Sequence, residues 1–141
     1  MNGRVLISAC QRQLAGVWLI GCGLIFLLML GQTLGGKYGG QVDKAWSWFI
    51  PTVLPILSII VGAVAYEARR EPQSVTADRL AFHLSVGLSL FYLLLVIATV
   101  LFQPLSRMTP LELMSVSNLW LGPVQGLVGI VVGVFFASRG N

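Results

Sequence analysis

The stretch that decides the fold is NLWLGPVQGLVGIVVGVFFASR, Asn118 to Arg139, an apolar run in which small residues recur regularly. The small residues are spaced by four, three, four and four positions, which places them on one face of a helix. Helices in lipid gain little from the hydrophobic effect when they associate, so close approach over small residues supplies much of the packing. We therefore expect another helix, from the same chain or from a second copy, to pack on this glycine face: Gly122, Gly126, Gly129, Gly133 and Ala137.

The composition sets the class of protein. Of the 141 residues, 56% are hydrophobic and 10% are charged, a balance that a soluble domain of this length cannot bury. Four apolar runs, residues 14–34, 46–66, 80–102 and 119–137, approach the ~20 residues that a bilayer core requires. We predict an all-α, polytopic membrane protein in which residues 1–141 form a single transmembrane domain, a four-helix bundle.

The distribution of positive charge predicts the orientation of this bundle. The N-terminal tail, the middle loop and the C-terminal tail together carry six of the cations, and the other two loops carry three. Because loops rich in Lys and Arg stay in the cytoplasm, we predict that the N- and C-termini and the middle loop are cytoplasmic. The cations are scattered over short segments, which argues against a nucleic-acid partner.

The third predicted span carries polar side chains along one helical face. Their steps of four, three, seven and four positions are helical, with Val96 filling the gap. Polar groups in hydrocarbon need partners, so this polar stripe must face other helices or water. Two interpretations remain open, namely hydrogen bonds between helices and the lining of a narrow wet path. The stripe consists of Ser85, Ser89, Tyr92, Thr99 and Gln103.

The second predicted span contains Pro51 and Pro55, four residues apart on one face. A proline inside a span removes backbone hydrogen bonds and bends the helix, and neighbouring groups must then satisfy the freed carbonyls. The pair predicts either a static bend or a gating hinge.

In the fourth span, Gln125 is the one strongly polar side chain of the half that follows the third loop.

The middle loop is the most charged part of the chain and is the place where we expect a cytoplasmic partner to dock. The alternative is a solvated loop without a partner. The docking residues would be Glu67, Arg69, Arg70 and Arg79. His83 lies near the same end of the third span, away from the polar stripe. We interpret it as a packing or interfacial residue, and the alternative is a pH sensor.

Two shorter segments carry local signals. Thr109-Pro110-Leu111-Glu112 is a capping box with proline at the first helical position, and it predicts a short surface helix over residues 110–116. Ser117 or Asn118 would then cap the fourth span. Residues 1–13 have apolar and polar sides, which predicts a short interfacial helix or a frayed terminus.

The chemistry that enzymes and coupled transporters need is missing from the sequence. No Asp, Glu, Lys or Arg lies within the four predicted spans, whereas a proton-coupled transporter normally keeps an ionisable residue at mid-depth. The single histidine and two cysteines form no haem, zinc or iron motif. No nucleophile elbow, phosphate loop or paired carboxylate is present. We predict that the protein is not an enzyme and has no metal and no cofactor.

Three functions fit these features. The first is an oligomeric channel or membrane-permeabilising effector, with the polar stripe lining the path, the glycine face joining subunits and the prolines acting as a hinge. The second is a non-conducting membrane anchor or accessory subunit that docks a cytoplasmic partner through residues 67–79. The third is a small uncoupled transporter. In all three, the protein lies in the lipid bilayer. We expect the protein to form a homo-oligomer.

The stretch SNLWLGPVQGLVGIVVGVFF, Ser117 to Phe136, resembles the last span of small four-helix membrane proteins from bacterial conflict, or antiphage, systems. In such systems a membrane subunit is thought to disrupt the inner membrane when a sensor triggers it. The resemblance implies a multi-pass protein of the bacterial inner membrane, a permeabilising function and a cytoplasmic sensor as the trigger.

Overall fold

The computed structural model describes residues 4–69 and 76–137, and it describes side chains over residues 6–69 and 78–137. Four helices dominate this part of the chain: α1 (Ile7–Leu34), α2 (Val42–Glu67), α3 (Arg79–Leu101) and α4 (Pro110–Ala137). Each is apolar enough and long enough to cross a membrane, which confirms the predicted helical bundle with four spans. The 28-residue helices α1 and α4 are each about 42 Å long, so they extend beyond a ~30 Å hydrocarbon core.

The helices are arranged as a square in which α1 packs against α2 and α3, and α4 packs against the same two helices. Large side chains such as Trp18, Tyr92 and Ile25 fill the centre and are fully buried. The outer surface is apolar as well, with side chains such as Leu27 and Ile130 more than 60% exposed. Apolar surface of this extent is stable when lipid rather than water surrounds it.

One glycine of α1 makes room for a side chain of α3. A Cβ atom added to Gly21 would lie 2.7 Å from Cδ1 of Leu93, which is closer than two carbon atoms normally approach. The missing side chain therefore lets Leu93 pack directly on the backbone of α1, and a larger residue at this position would require Leu93 to shift.

The glycine-rich connection between α1 and α2 is an ordered turn. Gly36 and Gly39 have positive φ angles of 76° and 56°, a conformation that favours glycine. Between them, the buried Tyr38 donates a hydrogen bond to Gln32 Oε1, and burial raises the pKa of Tyr38 to about 12. A 3₁₀ turn at Gly39–Gln41 leads into α2. The side chain of this tyrosine thus ties the loop to the end of α1.

The N-terminal segment differs from the predicted interfacial helix. Arg4–Leu6 forms a strand, β1, that pairs antiparallel with β2 (Thr76–Asp78), and α1 begins directly afterwards at Ile7. β-branched residues suit a short paired strand, and an antiparallel partner satisfies backbone groups that a terminal helical turn leaves free. Asp78 also caps α3, because its Oδ1 accepts a hydrogen bond from the Leu80 amide at 3.1 Å.

The predicted surface helix over residues 110–116 is not separate, because α4 runs without a break from Pro110 to Ala137. The capping box itself forms, with the Thr109 amide 2.9 Å from Glu112 Oε2 and the Glu112 amide 3.3 Å from Thr109 Oγ1. Ser117, proposed as a cap, lies inside the helix, where its hydroxyl donates to the Met114 carbonyl at 2.6 Å. A serine satisfied in this way does not end a helix.

Candidate functional site

The polar stripe of α3 points into the centre of the bundle. Ser85, Ser89 and Tyr92 are 0% exposed, so no water-sized space touches them, and Thr99 is 8% exposed. Ser85 and Thr99 donate to carbonyls of their own helix, each at 2.8 Å. Gln103 lies beyond the end of α3, where its Nε2 donates to the Met108 carbonyl at 3.0 Å. The structure therefore places four of the five stripe residues in the core and the fifth in a connection.

The two prolines of α2 free carbonyl groups in the middle of a span. A proline has no amide hydrogen, so the carbonyl four residues earlier loses its usual donor. For Pro55 that carbonyl belongs to Pro51, and for Pro51 it belongs to Ser47. The hydroxyl of Thr52 donates to the neighbouring Trp48 carbonyl at 2.6 Å. An unsatisfied carbonyl in hydrocarbon is costly, so other helices must supply donors at the bend.

A side chain of α4 donates to the freed Pro51 carbonyl, and a side chain of α3 donates to the carbonyl next to it. Gln125 Nε2 lies 2.9 Å from the Pro51 carbonyl oxygen and 3.4 Å from that of Thr52. The Tyr92 hydroxyl donates to the same Thr52 carbonyl at 2.6 Å. Three helices thus meet at one set of hydrogen bonds, which we call the bend junction: Pro51, Thr52, Tyr92 and Gln125. The junction ties the proline-containing part of α2 to α3 and α4.

The bend junction is the part of the site that sequence reasoning missed. The prolines, Tyr92 and Gln125 each stood out separately in the sequence, yet nothing in their spacing paired them. The available signal was chemical, since a proline in a span calls for a donor and Gln125 is a strong donor at similar depth.

A second link joins α2 to α4. The indole Nε1 of Trp48 donates to Ser117 Oγ at 3.0 Å, and Ser117 is fully buried. Near the centre of the bundle, two other polar atoms are buried without a hydrogen-bond partner among the described residues: Trp18 Nε1 and Ser89 Oγ. Trp18 instead stacks on Tyr92, with ring centroids 6.1 Å apart.

The two buried serines provide a matched test of these bonds. Both Ser117 and Ser89 are 0% exposed, and replacement by alanine removes one oxygen from each. We expect Ser117→Ala to lower the free energy of unfolding by about 1 kcal/mol, because the Trp48 indole loses its acceptor. Ser89→Ala should be neutral or slightly stabilising, because its hydroxyl has no partner to lose. Unfolding in mixed detergent micelles measures both, and equal losses would contradict the assignment.

The glycine face of α4 has no neighbour within the described part of the chain. A Cβ atom added at Gly122, Gly126, Gly129 or Gly133 would meet no atom within 4 Å. The helix turns a different face to the bundle, through buried residues such as Leu121, Val128 and Val132. Of the two predicted sources of a packing partner, the described residues of the same chain supply none. A second copy stays a prediction.

The residues predicted to dock a cytoplasmic partner lie at the end of the bundle that carries the β1–β2 ribbon. Glu67 ends α2, Arg79 begins α3, and both Arg69 and Arg79 are exposed. Arg70 lies outside the described residues. His83 is exposed one turn into α3, with Nδ1 2.6 Å from the Arg79 carbonyl oxygen. The structure leaves the docking prediction as it stands.

Comparison with known protein families, curated proteins and solved structures finds no match. Within residues 4–69 and 76–137, no group of three or more His, Cys, Asp or Glu side chains could hold a metal ion. Four apolar helices of membrane-spanning length and inward-facing polar side chains define the class. The chain is a multi-pass helical membrane protein.

Proposed function

We propose that the protein is a non-conducting membrane anchor, a four-helix subunit that joins further copies and holds a cytoplasmic partner at the loop between α2 and α3. The observation that carries this proposal is the burial of the polar stripe. Ser85, Ser89 and Tyr92 have no contact with a water-sized space, so the core offers no wet path in this conformation. A path between subunits would be lined by the apolar outer surface, which supports an anchor over a pore.

Association with further copies is supported by the open glycine face. Its four glycines leave room for close approach of a second helix, and such contacts stabilise many membrane oligomers. A homo-oligomer would also strengthen the binding of a partner, because several α2–α3 loops could then contact one partner at the same time.

The proposed location is the bacterial inner membrane, which rests on the resemblance of residues 117–136. The distribution of cations supports an orientation with both termini and the α2–α3 loop in the cytoplasm. Arg69 and Arg79 lie exposed at this end, available to an acidic surface on a partner protein.

The test is ion flux through liposomes that contain the purified protein, with a pore-forming peptide as positive control. We expect the liposomes to stay tight at every protein density. A partner should co-purify from the native membrane, and it should be lost when Arg69 and Arg79 are both replaced by glutamate. Flux that rises with protein density and disappears in Ser89→Leu or Gly129→Leu would contradict the anchor.

A second candidate is a gated channel or permeabilising effector triggered by a cytoplasmic sensor. One observation favours it, namely the unpartnered Ser89 hydroxyl and Trp18 indole at the centre of the bundle. Polar atoms without partners make the closed core less stable. Under this candidate, the trigger moves α2 at the bend junction and lets water reach them. Under this candidate, Tyr92→Phe should increase flux because it weakens the junction. A tight Tyr92→Phe liposome would rule against it.

A further inference from the structure

Two polar side chains lie on the outside of the bundle in the middle of the membrane spans. Within the described residues 18–30, 50–62, 84–98 and 121–133, the polar side chains that are not buried are Ser58 and Gln125. The outer sides of α1 and α3 present large apolar side chains at this depth, such as Leu24 and Phe91, which are 53% and 52% exposed. Hydrocarbon offers neither a donor nor an acceptor, so a polar group that faces outward here needs a protein partner.

Both polar side chains belong to one side of the bundle, where α2 and α4 pack against each other. The hydrogen bond from Gln125 to the Pro51 carbonyl lies at the surface of the bundle. Ser58 follows Pro51 by seven residues, or two helical turns, so it lies on the same face of α2. Glycines at helical spacing lie beside them. We call this side the α2–α4 face: Pro51, Ser58 and Gly62 of α2, with Gly122, Gln125 and Gly129 of α4.

The carboxamide of Gln125 has an acceptor to spare. Both of its hydrogen bonds to described residues are made by Nε2, to the carbonyl oxygens of Pro51 at 2.9 Å and Thr52 at 3.4 Å, so Oε1 takes part in neither. A carbonyl oxygen only accepts, which fixes Nε2 rather than Oε1 against α2. The Thr52 carbonyl also accepts from the Tyr92 hydroxyl at 2.6 Å and does not depend on Gln125. Gln125 therefore presents one N–H and one oxygen to a further partner, and a group of this kind is complementary to itself.

We propose that a second copy of the chain packs on the α2–α4 face in a symmetric dimer, in which the two Gln125 carboxamides form a reciprocal pair of hydrogen bonds. The inference rests on the proposed association of copies and specifies its contact. Two copies inserted in the same direction are related by a two-fold axis along the membrane normal, so a residue near the axis meets its counterpart at the same depth. Each Nε2 keeps its bond to the Pro51 carbonyl and donates its second hydrogen to Oε1 of the other copy. A lipid acyl chain has no donor to offer this oxygen.

The glycines allow the two copies to approach. A two-fold rotation places α4 of one copy opposite α2 of the other, so the small residues of both helices meet across the contact. A Cβ atom added at Gly62, Gly122 or Gly129 would meet no atom within 4 Å, so none of these positions is filled by the chain itself. Close approach over small residues is what brings side-chain amides of membrane helices within hydrogen-bond distance. The contact closes at two copies, because each uses the same face.

The first measurement is the mass of the particle in nanodiscs by native mass spectrometry. We expect twice the 15.3 kDa of one chain. Gln125→Leu should weaken dimerisation about tenfold, because two hydrogen bonds between helices are lost. Ser117→Ala is the matched control, since it removes another side-chain bond between α2 and α4, from Trp48, at a fully buried position. It should leave the dimer intact. Equal weakening in both variants, or no weakening in Gln125→Leu, would overturn the carboxamide pair.

The second measurement is disulfide formation in native membranes under mild oxidation. Gly122→Cys places a thiol three residues before Gln125 on the same face, and we expect it to give a covalent dimer. Gly87→Cys, at an exposed glycine of α3 with open space around it, should stay monomeric. The native Cys10 and Cys22 are buried, so the wild type supplies the background.

The outcomes separate this contact from the proposed function. A trimer or larger ring, or equal crosslinking in Gly122→Cys and Gly87→Cys, would overturn the symmetric dimer and leave the association of copies standing. A monomeric particle would overturn both. The liposome flux measurement tests the non-conducting anchor independently of either result.

Discussion

Replacement of Tyr92 by phenylalanine should lower the free energy of unfolding by about 1 kcal/mol, although it removes a single oxygen atom. The Tyr92 hydroxyl donates to the Thr52 carbonyl at 2.6 Å, next to the Pro51 carbonyl that Pro55 leaves without a backbone donor. The change would remove this link between α3 and α2, while the Thr52 carbonyl would keep its donor within the helix and the longer contact from Gln125, at 3.4 Å. Hydrogen bonds between membrane helices are worth about 0.6 kcal/mol on average and up to about 1.7 kcal/mol, which sets the size of the expected loss.

Gln125→Leu tests the other half of the bend junction. It removes the donor to the Pro51 carbonyl, and in combination with Tyr92→Phe it should destabilise the protein more than the sum of the two single changes. The matched control is Thr99→Val, which removes a buried hydroxyl that bonds only within its own helix. Detergent unfolding measures all four variants. A Tyr92→Phe loss no larger than that of Thr99→Val would show that the junction adds no stability beyond that of an ordinary buried hydroxyl.

Gly129→Leu should convert an oligomer into monomers in native mass spectrometry. Gly129 lies at the centre of the open glycine face, and a leucine there holds a second helix away from α4 without disturbing the chain's own packing. We expect the association to weaken about tenfold or more, equivalent to at least ~1.4 kcal/mol.

Gly87→Leu is the control for this change. Gly87 is also an exposed, membrane-level glycine with no neighbour within 4 Å, but it lies alone on α3. It should leave the particle mass unchanged. A monomeric wild type, or a Gly129→Leu protein of unchanged mass, would contradict the role assigned to the glycine face.

The number and class of the helices were predictable because bilayer thickness fixes the length of a span. The shared face of Ser85, Ser89 and Tyr92 was predictable for a second reason. A helical period assigns residues to one face, and a polar face in a span must point towards other helices or water. The period does not say which helix lies opposite that face. Tyr92 reaches Thr52 because α3 and α2 lie across the square from each other, an arrangement that depends on all three connections together. The pairing of residues at the bend junction therefore could not be predicted from the sequence pattern.

The ends of the helices were less predictable for a different reason. A capping box such as that at Thr109 and Glu112 indicates where a helix begins, but it carries no information about where the helix ends. Ser117 has the chemistry of a cap. In the structure its hydroxyl instead accepts a hydrogen bond from Trp48 of the neighbouring helix α2, which the sequence does not indicate. The strand at Arg4–Leu6 likewise depends on a partner far along the chain.

That distant partner has a consequence for biosynthesis. β1 is the first of the described elements to leave the ribosome, whereas β2 follows only after α1 and α2. The ribbon can close only when both of these helices have been inserted and the chain has returned to the side on which it started. A wrongly inserted first hairpin would leave the backbone of Arg4–Leu6 exposed to proteases, so the ribbon marks a completed first stage of assembly.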